Sequence, residues 1–232
     1  MTARAGEAAG GRSGGPGEPV RGRGAGPPGP PETRPVGGAR AARAARNRVA
    51  GGAPGGDDEA MRVRQAAAGD AMAIAVVHVR SWQAAYRGLM PQDYLDGLDP
   101  VRRRAQWDRL LADGGWPRAG VLVAEIDGQI AGFTALSPAR DESEDRAQVA
   151  EIAAIYLAPE AWGTGVGRQL MGAALEALAL AGYSQVILWV LDSNVRARRF
   201  YAAGGWQPDG AVKTDTRLGF PHTEVRYRRP LA

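Results

Sequence analysis

The sequence predicts an α/β fold, and three observations support this prediction. The hydrophobic period changes from about 3.6 residues to about 2 near residue 120, and both periods recur further along the chain. Asp127-Gly128 joins two apolar runs and is typical of a two-residue hairpin turn. Residues 162–168 hold three alternating glycines between an apolar run and a helical pattern. Strands and helices are therefore expected to mix along one chain.

Each element has a local signal. Asp70 is a residue type that caps helix N-termini, and Pro100 favours the first turn of a helix. Gly182 is expected just after the fourth helix, because glycine adopts the left-handed conformation that ends helices. The predicted helices cover residues 71–86, 91–98, 100–111, 166–181 and 195–203. The predicted strands cover residues 61–66, 120–126, 130–137, 149–157, 185–191, 206–212 and 222–228.

Residues 1–60 differ in composition from the rest of the chain. They contain 16 Gly and 8 Pro but no aromatic residue, Leu or Ile. Such a segment cannot bury enough apolar surface to offset the entropy of ordering it, so we expect it to be disordered. We expect residues 61–232 to form the folded domain. Two hypotheses concern the segment: either translation starts at Met61, or the segment is a basic arm for nucleic acid or a protein partner.

Composition excludes several classes of function. The chain has no cysteine, which excludes disulfides, thiolate metal sites and cysteine nucleophiles. It has only two histidines, His78 and His222, so we expect no metal site and treat both as structural. Residues 61–232 carry 20 basic and 19 acidic side chains, which makes a nucleic-acid surface on the domain unexpected. We find no long apolar run and no secretory signal, and we therefore expect a cytoplasmic protein without a membrane span.

The most informative segment is the glycine loop, Trp162-Gly163-Thr164-Gly165-Val166-Gly167-Arg168. Glycine permits positive φ and lets a ligand approach the main chain closely. A helix start presents unpaired N–H groups and the positive end of a dipole, which together favour a phosphate or pyrophosphate. The spacing is not the dinucleotide fingerprint G-x-G-x-x-G, and the G-K-[ST] of a P-loop is absent. Tight packing of a strand against a helix is the structural alternative.

A second motif follows the next predicted strand, and the two motifs together resemble a known family. The segment 194–206 runs from Asn194 through Phe200-Tyr201 to Trp206. With the glycine loop it resembles the GCN5-related N-acetyltransferase (GNAT) family, which has a Q/R-x-x-G-x-G/A loop and then an N-x-x-A-x-x-F-Y-x-x-x-G-F/W segment. Each motif alone is loose, but their order and separation are specific. The resemblance covers residues 61–232 and is densest over 149–206.

The resemblance implies a fold and a co-substrate. The fold would be the acyl-CoA N-acyltransferase fold, a mixed, mostly antiparallel, twisted sheet with helices on both faces. Acetyl-coenzyme A would lie in a V-shaped split between strands 149–157 and 185–191, and no metal would be needed. The residues implied to bind the coenzyme are Ile155, Tyr156, Leu157, Trp162, Gly163, Thr164, Gly165, Val166, Gly167, Arg168, Asn194, Arg198 and Tyr201.

One residue departs from the family pattern. Trp162 stands where the family usually has Arg or Gln. The resemblance implies that pyrophosphate is bound mostly through backbone N–H groups, which residues 163–168 still supply. Arg168 is expected either to add charge at the phosphates or to be a solvated helix residue.

The resemblance also implies which residues carry the chemistry. The acceptor amine must lose a proton before it attacks, and Glu151 matches the usual position of the general base. Tyr201 matches the general acid near the coenzyme sulfur. The backbone N–H near Leu157 would stabilise the thioester oxygen. The alternatives are a strand-end charge for Glu151 and a core side chain for Tyr201.

Residues that would meet the acceptor are less well defined by the sequence. Trp82 and Tyr86 lie one helical turn apart, where the resemblance implies the acceptor site, and they form either an aromatic wall for the substrate or part of the core. The acidic loop 141–145 either attracts cationic amines or is a solvated loop.

We therefore predict an acyltransferase that moves an acetyl group from acetyl-coenzyme A to a primary amine, by direct attack in a ternary complex. The acceptor would be a small molecule or a peptide. Membrane association is not expected, nucleic-acid binding is disfavoured, and the resemblance allows a homodimer. The alternative from another class is a non-catalytic acyl-CoA-binding sensor or regulatory domain.

Overall fold

In the part of the chain that the structure describes, seven strands form one sheet in the order β1-β2-β3-β4-β5-β7-β6. The computed structural model describes residues 61–113 and 115–231, so the segment 1–60 and the disorder expected for it lie outside the described residues. The strands are β1 (Arg62–Gln65), β2 (Gly120–Ile126), β3 (Gln129–Pro138), β4 (Val149–Leu157), β5 (Gln185–Leu191), β6 (Gln207–Asp215) and β7 (His222–Pro230). The helices are α1 (Ala71–Ala85), α2 (Gln92–Asp96), α3 (Pro100–Ala112), α4 (Val166–Leu180) and α5 (Val195–Ala203).

Strand pairing makes the sheet mixed and mostly antiparallel. β4 and β5 pair in parallel, and the other neighbouring strands in the described chain pair antiparallel. The predicted fold class and the predicted order of elements are thereby confirmed. β5 lies between β4 and β7, inside the sheet, as its apolar sequence predicts.

Both faces of the sheet are covered by helices, and β2 shows how the sequence achieves this. Val121 and Val123 point into a core shared with α1 and α3, whereas Leu122 and Ala124 point into the core beneath α4. Successive side chains of a strand alternate between faces, so a strand buried on both sides must be apolar throughout.

Local signals set most element boundaries. The Asp99 carboxylate accepts a hydrogen bond from the Val101 N–H at 2.8 Å, and Pro100 fills the first position of α3. Asp127 (φ 49°) and Gly128 (φ 75°) adopt the positive φ values of the predicted hairpin turn.

The prediction that Asp70 caps α1 is wrong. Its side chain makes no capping hydrogen bond to that helix. The carboxylate instead accepts a hydrogen bond from the Ala67 N–H at 2.7 Å and pairs with the Arg64 guanidinium. A short 3₁₀ turn over Ala68–Asp70 precedes α1, and Asp70 belongs to that turn. The hydrogen bond from Arg64 is the main reason that the pKa of Asp70 is lowered.

The described helices also bear on membrane insertion. Within residues 61–113 and 115–231, no helix has the length and apolar character needed to cross a bilayer.

A matched pair of substitutions in α4 tests how the helix is held. Leu170 is fully buried against the sheet, while Leu180 is 80% exposed near the end of the same helix. Leu170→Ala is expected to lower the free energy of unfolding by about 2–5 kcal/mol, because a buried leucine leaves a cavity when truncated. Leu180→Ala is expected to change it by less than about 0.5 kcal/mol. Urea unfolding of both variants measures the difference, and equal losses would contradict this packing.

Candidate active site

A cleft opens where β4 and β5 stop pairing. The two strands are joined only over Val149–Glu151 and Gln185–Ile187, and beyond these residues they diverge. A cavity of about 430 Å³ lies between them, bordered also by α1, the glycine loop, α5 and the β6–β7 hairpin. Pockets for small molecules have volumes of this order.

A bulge in β4 contributes to this divergence. Ala135 of β3 faces Ala154 and Leu136 faces Ile152, so Ala153 has no partner and is the extra residue. A β-bulge bends its strand and increases the local twist. The bulge lies just after the last residues that pair with β5, and it therefore re-aims the remainder of β4 along the cleft.

The glycine loop presents a row of unpaired backbone donors to the cleft. Gly163 (φ 80°) and Gly165 (φ 94°) adopt left-handed conformations that favour glycine. In the described residues, no hydrogen bond joins the backbone N–H groups of residues 163–167 to an acceptor. These groups precede or open α4, at the positive end of its dipole, and successive free N–H groups of this kind suit an anion.

Trp162 and Arg196 form a contact that the sequence did not predict. The Trp162 indole Nε1 donates a hydrogen bond to the Leu157 carbonyl at 3.1 Å. The Arg196 guanidinium lies 3.8 Å from the centroid of the Trp162 ring, within the range of a cation–π interaction. Both residues line the cleft, and within the described residues no carboxylate pairs with Arg196. Arg196 therefore brings an uncompensated positive charge beside the glycine loop.

Arg198 does not line the cleft, and its binding of the coenzyme stays a prediction that its other contacts weigh against. Its Nη1 donates to the backbone carbonyl of Asp192 at 2.9 Å and to the Asp192 carboxylate at 2.6 Å, and its Nε donates to the Tyr227 hydroxyl. Residues two apart in an α-helix point in nearly opposite directions, so only Arg196 of this pair reaches the cleft. The helical phase of α5 relative to the sheet would have been needed to choose between them.

Asn194 and Tyr201 lie at the start and on the inner face of α5. Asn194 Oδ1 accepts a hydrogen bond from the Ala197 N–H at 3.1 Å, so Asn194 caps the helix as well as lining the cleft. The Tyr201 side chain also lines the cleft, and its hydroxyl has no hydrogen-bond partner among the described residues. Burial raises the pKa of Tyr201, and Tyr156 adds to the rise, so the phenol stays protonated and can donate.

Glu151 lies in the cleft but is not a free carboxylate. Both of its oxygens accept hydrogen bonds from the Arg140 guanidinium, and Oε2 also accepts from the Arg140 backbone N–H at 3.1 Å. The glutamate side chain is only 2% exposed. A buried carboxylate whose two oxygens both accept hydrogen bonds from a guanidinium neutralises that cation. It has no unoccupied oxygen to accept a proton from an amine. The role of Glu151 as general base stays a prediction, and this ion pair weighs against it.

Aromatic side chains form the wall of the cleft that belongs to α1. Trp82 and Tyr86 both line it, with ring centroids 5.1 Å apart in an edge-to-face arrangement. Tyr156 of β4 stacks on His78 at 5.1 Å and completes the wall. The two alternatives for Trp82 and Tyr86 are therefore compatible, since each ring packs against neighbours and also borders the cavity.

The remaining residues expected to bind the coenzyme divide into two groups. Ile155 and Leu157 line the cleft, as do Gly163, Gly165, Gly167 and Arg168. Thr164 and Val166 do not line the cleft. The Thr164 hydroxyl donates to the Ala161 carbonyl at 2.8 Å, and the Val166 side chain is buried in the core beneath α4.

The acidic loop is solvated in part and does not line the cleft, since Glu142 and Asp145 are exposed whereas Asp141 and Glu144 form ion pairs. Asp141 and Glu144 each accept from Arg226 at 2.8 Å, and Glu144 also pairs with Arg228. Asp209 of β6 bonds the same two arginines. Two of the four carboxylates of the loop, Asp141 and Glu144, therefore fasten it to β7.

In the described part of the chain, no group of three or more His, Asp or Glu side chains could hold a metal ion.

The His78 imidazole is buried in the wall of the cleft. His78 is 3% exposed, and neither ring nitrogen has a hydrogen-bond partner in the described residues. Burial lowers the pKa of His78 well below its usual value, and the charge of Arg103 lowers it further, so the imidazole is neutral.

Comparisons with known proteins indicate a family. The family model described as the acetyltransferase (GNAT) family matches residues 80–206, more than half of the chain. The N-acetyltransferase YuaI of Bacillus subtilis is 36% identical over 134 residues, which cover 57% of this chain and 72% of that protein. An N-acetyltransferase of Archaeoglobus fulgidus is 38% identical over 125 residues, covering 54% of this chain and 81% of that protein.

A solved structure shares the fold. The PaiA N-acetyltransferase of Thermoplasma acidophilum, crystallised in complex with coenzyme A, superposes with a TM-score of 0.62 at 18% sequence identity. The superposition covers 74% of this chain and 99% of that one. At this level of identity the likeness concerns the fold.

The buried imidazole predicts how stability depends on pH. Below about pH 6.5 the unfolded chain binds a proton at His78 that the folded chain does not, so the stabilising contribution present above that pH is lost as the pH falls. The loss from this residue is expected to reach about 1.4 kcal/mol per pH unit. His78→Gln should remove it and His222→Gln should not. Urea unfolding between about pH 7.5 and 5.5 tests this, and an unchanged pH slope in the His78 variant would contradict it.

Proposed function

Because the chain belongs to the acetyltransferase (GNAT) family, we propose that it transfers the acetyl group of acetyl-coenzyme A to a primary amine. It is an N-acetyltransferase, so the non-catalytic sensor is not the favoured alternative. The observation that carries the proposal is the row of unpaired N–H groups at residues 163–167, beside a cleft between two diverging strands. The acceptor is a small molecule or a peptide with a primary amine.

The glycine loop is proposed to hold the pyrophosphate of the coenzyme. The free N–H groups of residues 163–167 can donate to phosphate oxygens without breaking any existing hydrogen bond. Arg168 and Arg196 line the same end of the cleft and have no carboxylate partner among the described residues. Arg196 takes the part of the family's loop Arg or Gln, because Trp162 occupies that position and supports its guanidinium.

The reacting groups are proposed to meet near Tyr201. The thioester carbonyl would lie along β4, where residues beyond Glu151 no longer pair with β5 and a backbone N–H near Leu157 can stabilise the developing oxyanion. The uncharged amine attacks the carbonyl carbon, and the bond from carbon to sulfur breaks. The Tyr201 phenol then donates to the leaving thiolate. Trp82 and Tyr86 would border the acceptor.

An amine panel tests the activity, and Tyr201 tests the assigned acid. The full chain is assayed with acetyl-coenzyme A and peptides with free N-termini, a lysine peptide, spermidine, an aminoglycoside and amino acids, with release of the coenzyme thiol as the readout. Tyr201→Phe is expected to lower kcat about 100-fold without changing the affinity for coenzyme A, because it removes the proton donor and keeps the ring.

The matched control for the acid is Tyr183→Phe. Tyr183 is buried, but its hydroxyl donates to the Arg118 carbonyl and it does not line the cleft. This variant should retain its kcat. Equal kcat values for the wild-type chain and Tyr201→Phe would remove Tyr201 from the mechanism, and silence across the whole panel would favour the sensor.

A second prediction concerns the phosphate end of the cleft. Arg196→Met is expected to weaken coenzyme A binding about 10- to 100-fold, because one charge-assisted contact is worth roughly 1.5–3 kcal/mol. Binding of pantetheine, which has no phosphate, should not change. Arg199→Met is the control, since Arg199 lies on the same helix but does not line the cleft. Calorimetric titration measures the affinity of the wild-type chain and of both variants for coenzyme A and for pantetheine. Equal losses of affinity for the two ligands in Arg196→Met would argue against a phosphate contact.

A further inference from the structure

The carboxylates that line the cleft differ in how many of their oxygens are already bound. Those in the described residues are Glu151, Asp215 and Glu224. Arg140 occupies both oxygens of Glu151. Arg217 donates to both oxygens of Asp215, through its backbone N–H at 2.8 Å and its Nε at 2.6 Å.

Glu224 alone of these three keeps an oxygen without a partner. Its Oε2 pairs with the Lys213 ammonium at 3.1 Å, and no hydrogen bond or ion pair to Oε1 occurs within the described residues. The side chain is 24% exposed, compared with 2% for Glu151. Lys213 is also held independently, because its Nζ lies 3.9 Å from the centroid of the Trp189 ring. An accessible carboxylate oxygen in the cleft therefore belongs to Glu224.

The sheet places Glu224 in the wall of the cleft that β7 forms. Glu224 faces Leu191, the last residue of β5, beyond the residues at which β5 pairs with β4, and it lines the same cleft as Tyr201. Burial raises the pKa of Tyr86, and the charges of Tyr156, Tyr201 and Glu224 each add to the rise. Glu224, Tyr86 and Tyr201 all line the same cleft.

We infer that Glu224 is the general base of the acetyl transfer, an inference that rests on the proposed function. The free oxygen of Glu224 takes a proton from the acceptor ammonium, and the uncharged nitrogen forms a bond to the thioester carbonyl carbon. The bond from carbon to sulfur breaks with the electron pair on sulfur, and the thiolate takes the Tyr201 proton. The protonated amide gives its extra proton to the Tyr201 phenolate, and Glu224 releases its proton to solvent. The products are an N-acetylated amine, coenzyme A and one proton.

The groups that face Glu224 come from several elements. Lys213 lies on β6 and Arg217 in the loop that follows it, and both carry positive charge. Tyr86 follows α1 and Tyr156 lies on β4, and both phenols are neutral because burial raises their pKa. Within this set Glu224 is the group able to accept a proton from an ammonium.

Glu224→Gln tests the inference, because it keeps the shape of the side chain and removes the basic oxygen. The acceptor is the most active alkylamine of the panel, assayed with the full chain. We expect kcat/KM to fall about 100-fold and the affinity for coenzyme A to stay the same. The deficit should shrink as the pH rises and should be small for hydrazine, a weakly basic amine that needs less help in losing a proton.

Two controls separate this role from a structural one. Lys213→Gln breaks the same ion pair but keeps the carboxylate, so it should lose far less activity than Glu224→Gln. Glu151→Gln should lower stability while leaving the acid limb of the pH–rate profile in place, since it strands Arg140 rather than removing the base.

The outcomes are distinguishable. A wild-type chain that is inert with every amine overturns the proposed function itself. An active wild-type chain whose Glu224→Gln variant keeps full activity overturns only the assignment of Glu224. The assignment is also overturned if Lys213→Gln matches the loss, if hydrazine shows the same deficit as the alkylamine, or if Glu151→Gln alone abolishes the acid limb.

Discussion

The parting of β4 from β5 is the constraint on which the site depends. Parallel strands normally pair along their length, yet these two share only three residues each before they separate. Backbone polar groups left without partners inside a protein are costly, so such a gap persists only where something else can satisfy them. The bulge at Ala153 bends β4 away, and the glycine loop and α5, which follow the carboxyl ends of the two strands, border the gap. The cleft is thus the region in which β4 and β5 are neighbours in the sheet but do not pair.

Most charged side chains around the cleft are paired with a neighbouring side chain of opposite charge. Glu151 is neutralised by Arg140, and Asp215 by Arg217, within hydrogen-bond distance in each case. Arg226 of β7 pairs in the same way with Asp141 and Glu144 of the acidic loop. Paired charges hold the walls of the cleft in place but have little capacity left for a ligand. Side chains that line the cleft without an ion-pair partner among the described residues, such as Arg196, are therefore the better candidates for binding a charged ligand.

The sequence predicted the elements better than it predicted the side chains around the cleft. The bounds of β2, β4, β5 and α5 agree with the expected ones, because apolar periodicity and glycine act over a few neighbouring residues. The motif could not show that Arg196 rather than Arg198 lines the cleft, because a motif does not give the phase of a helix relative to a sheet. The partner of Glu151 was missed because Arg140 lies 11 residues away in an irregular segment. Glu224 was missed because β7 reaches the cleft only by inserting between β5 and β6.

That insertion also governs how the domain can assemble. In the described structure β6 pairs with β7 and with no other strand, so β6 is joined to the sheet only through a strand made after it. During synthesis the first five strands can pair with one another before β7 has been made, whereas β6 has no strand to pair with until then. Contacts between residues distant in sequence form slowly, and the β6–β7 hairpin is expected to dock as a unit. The wall of the cleft that carries Glu224 is therefore the last to be built, and a nascent chain can hold a folded core before it can hold a complete binding site.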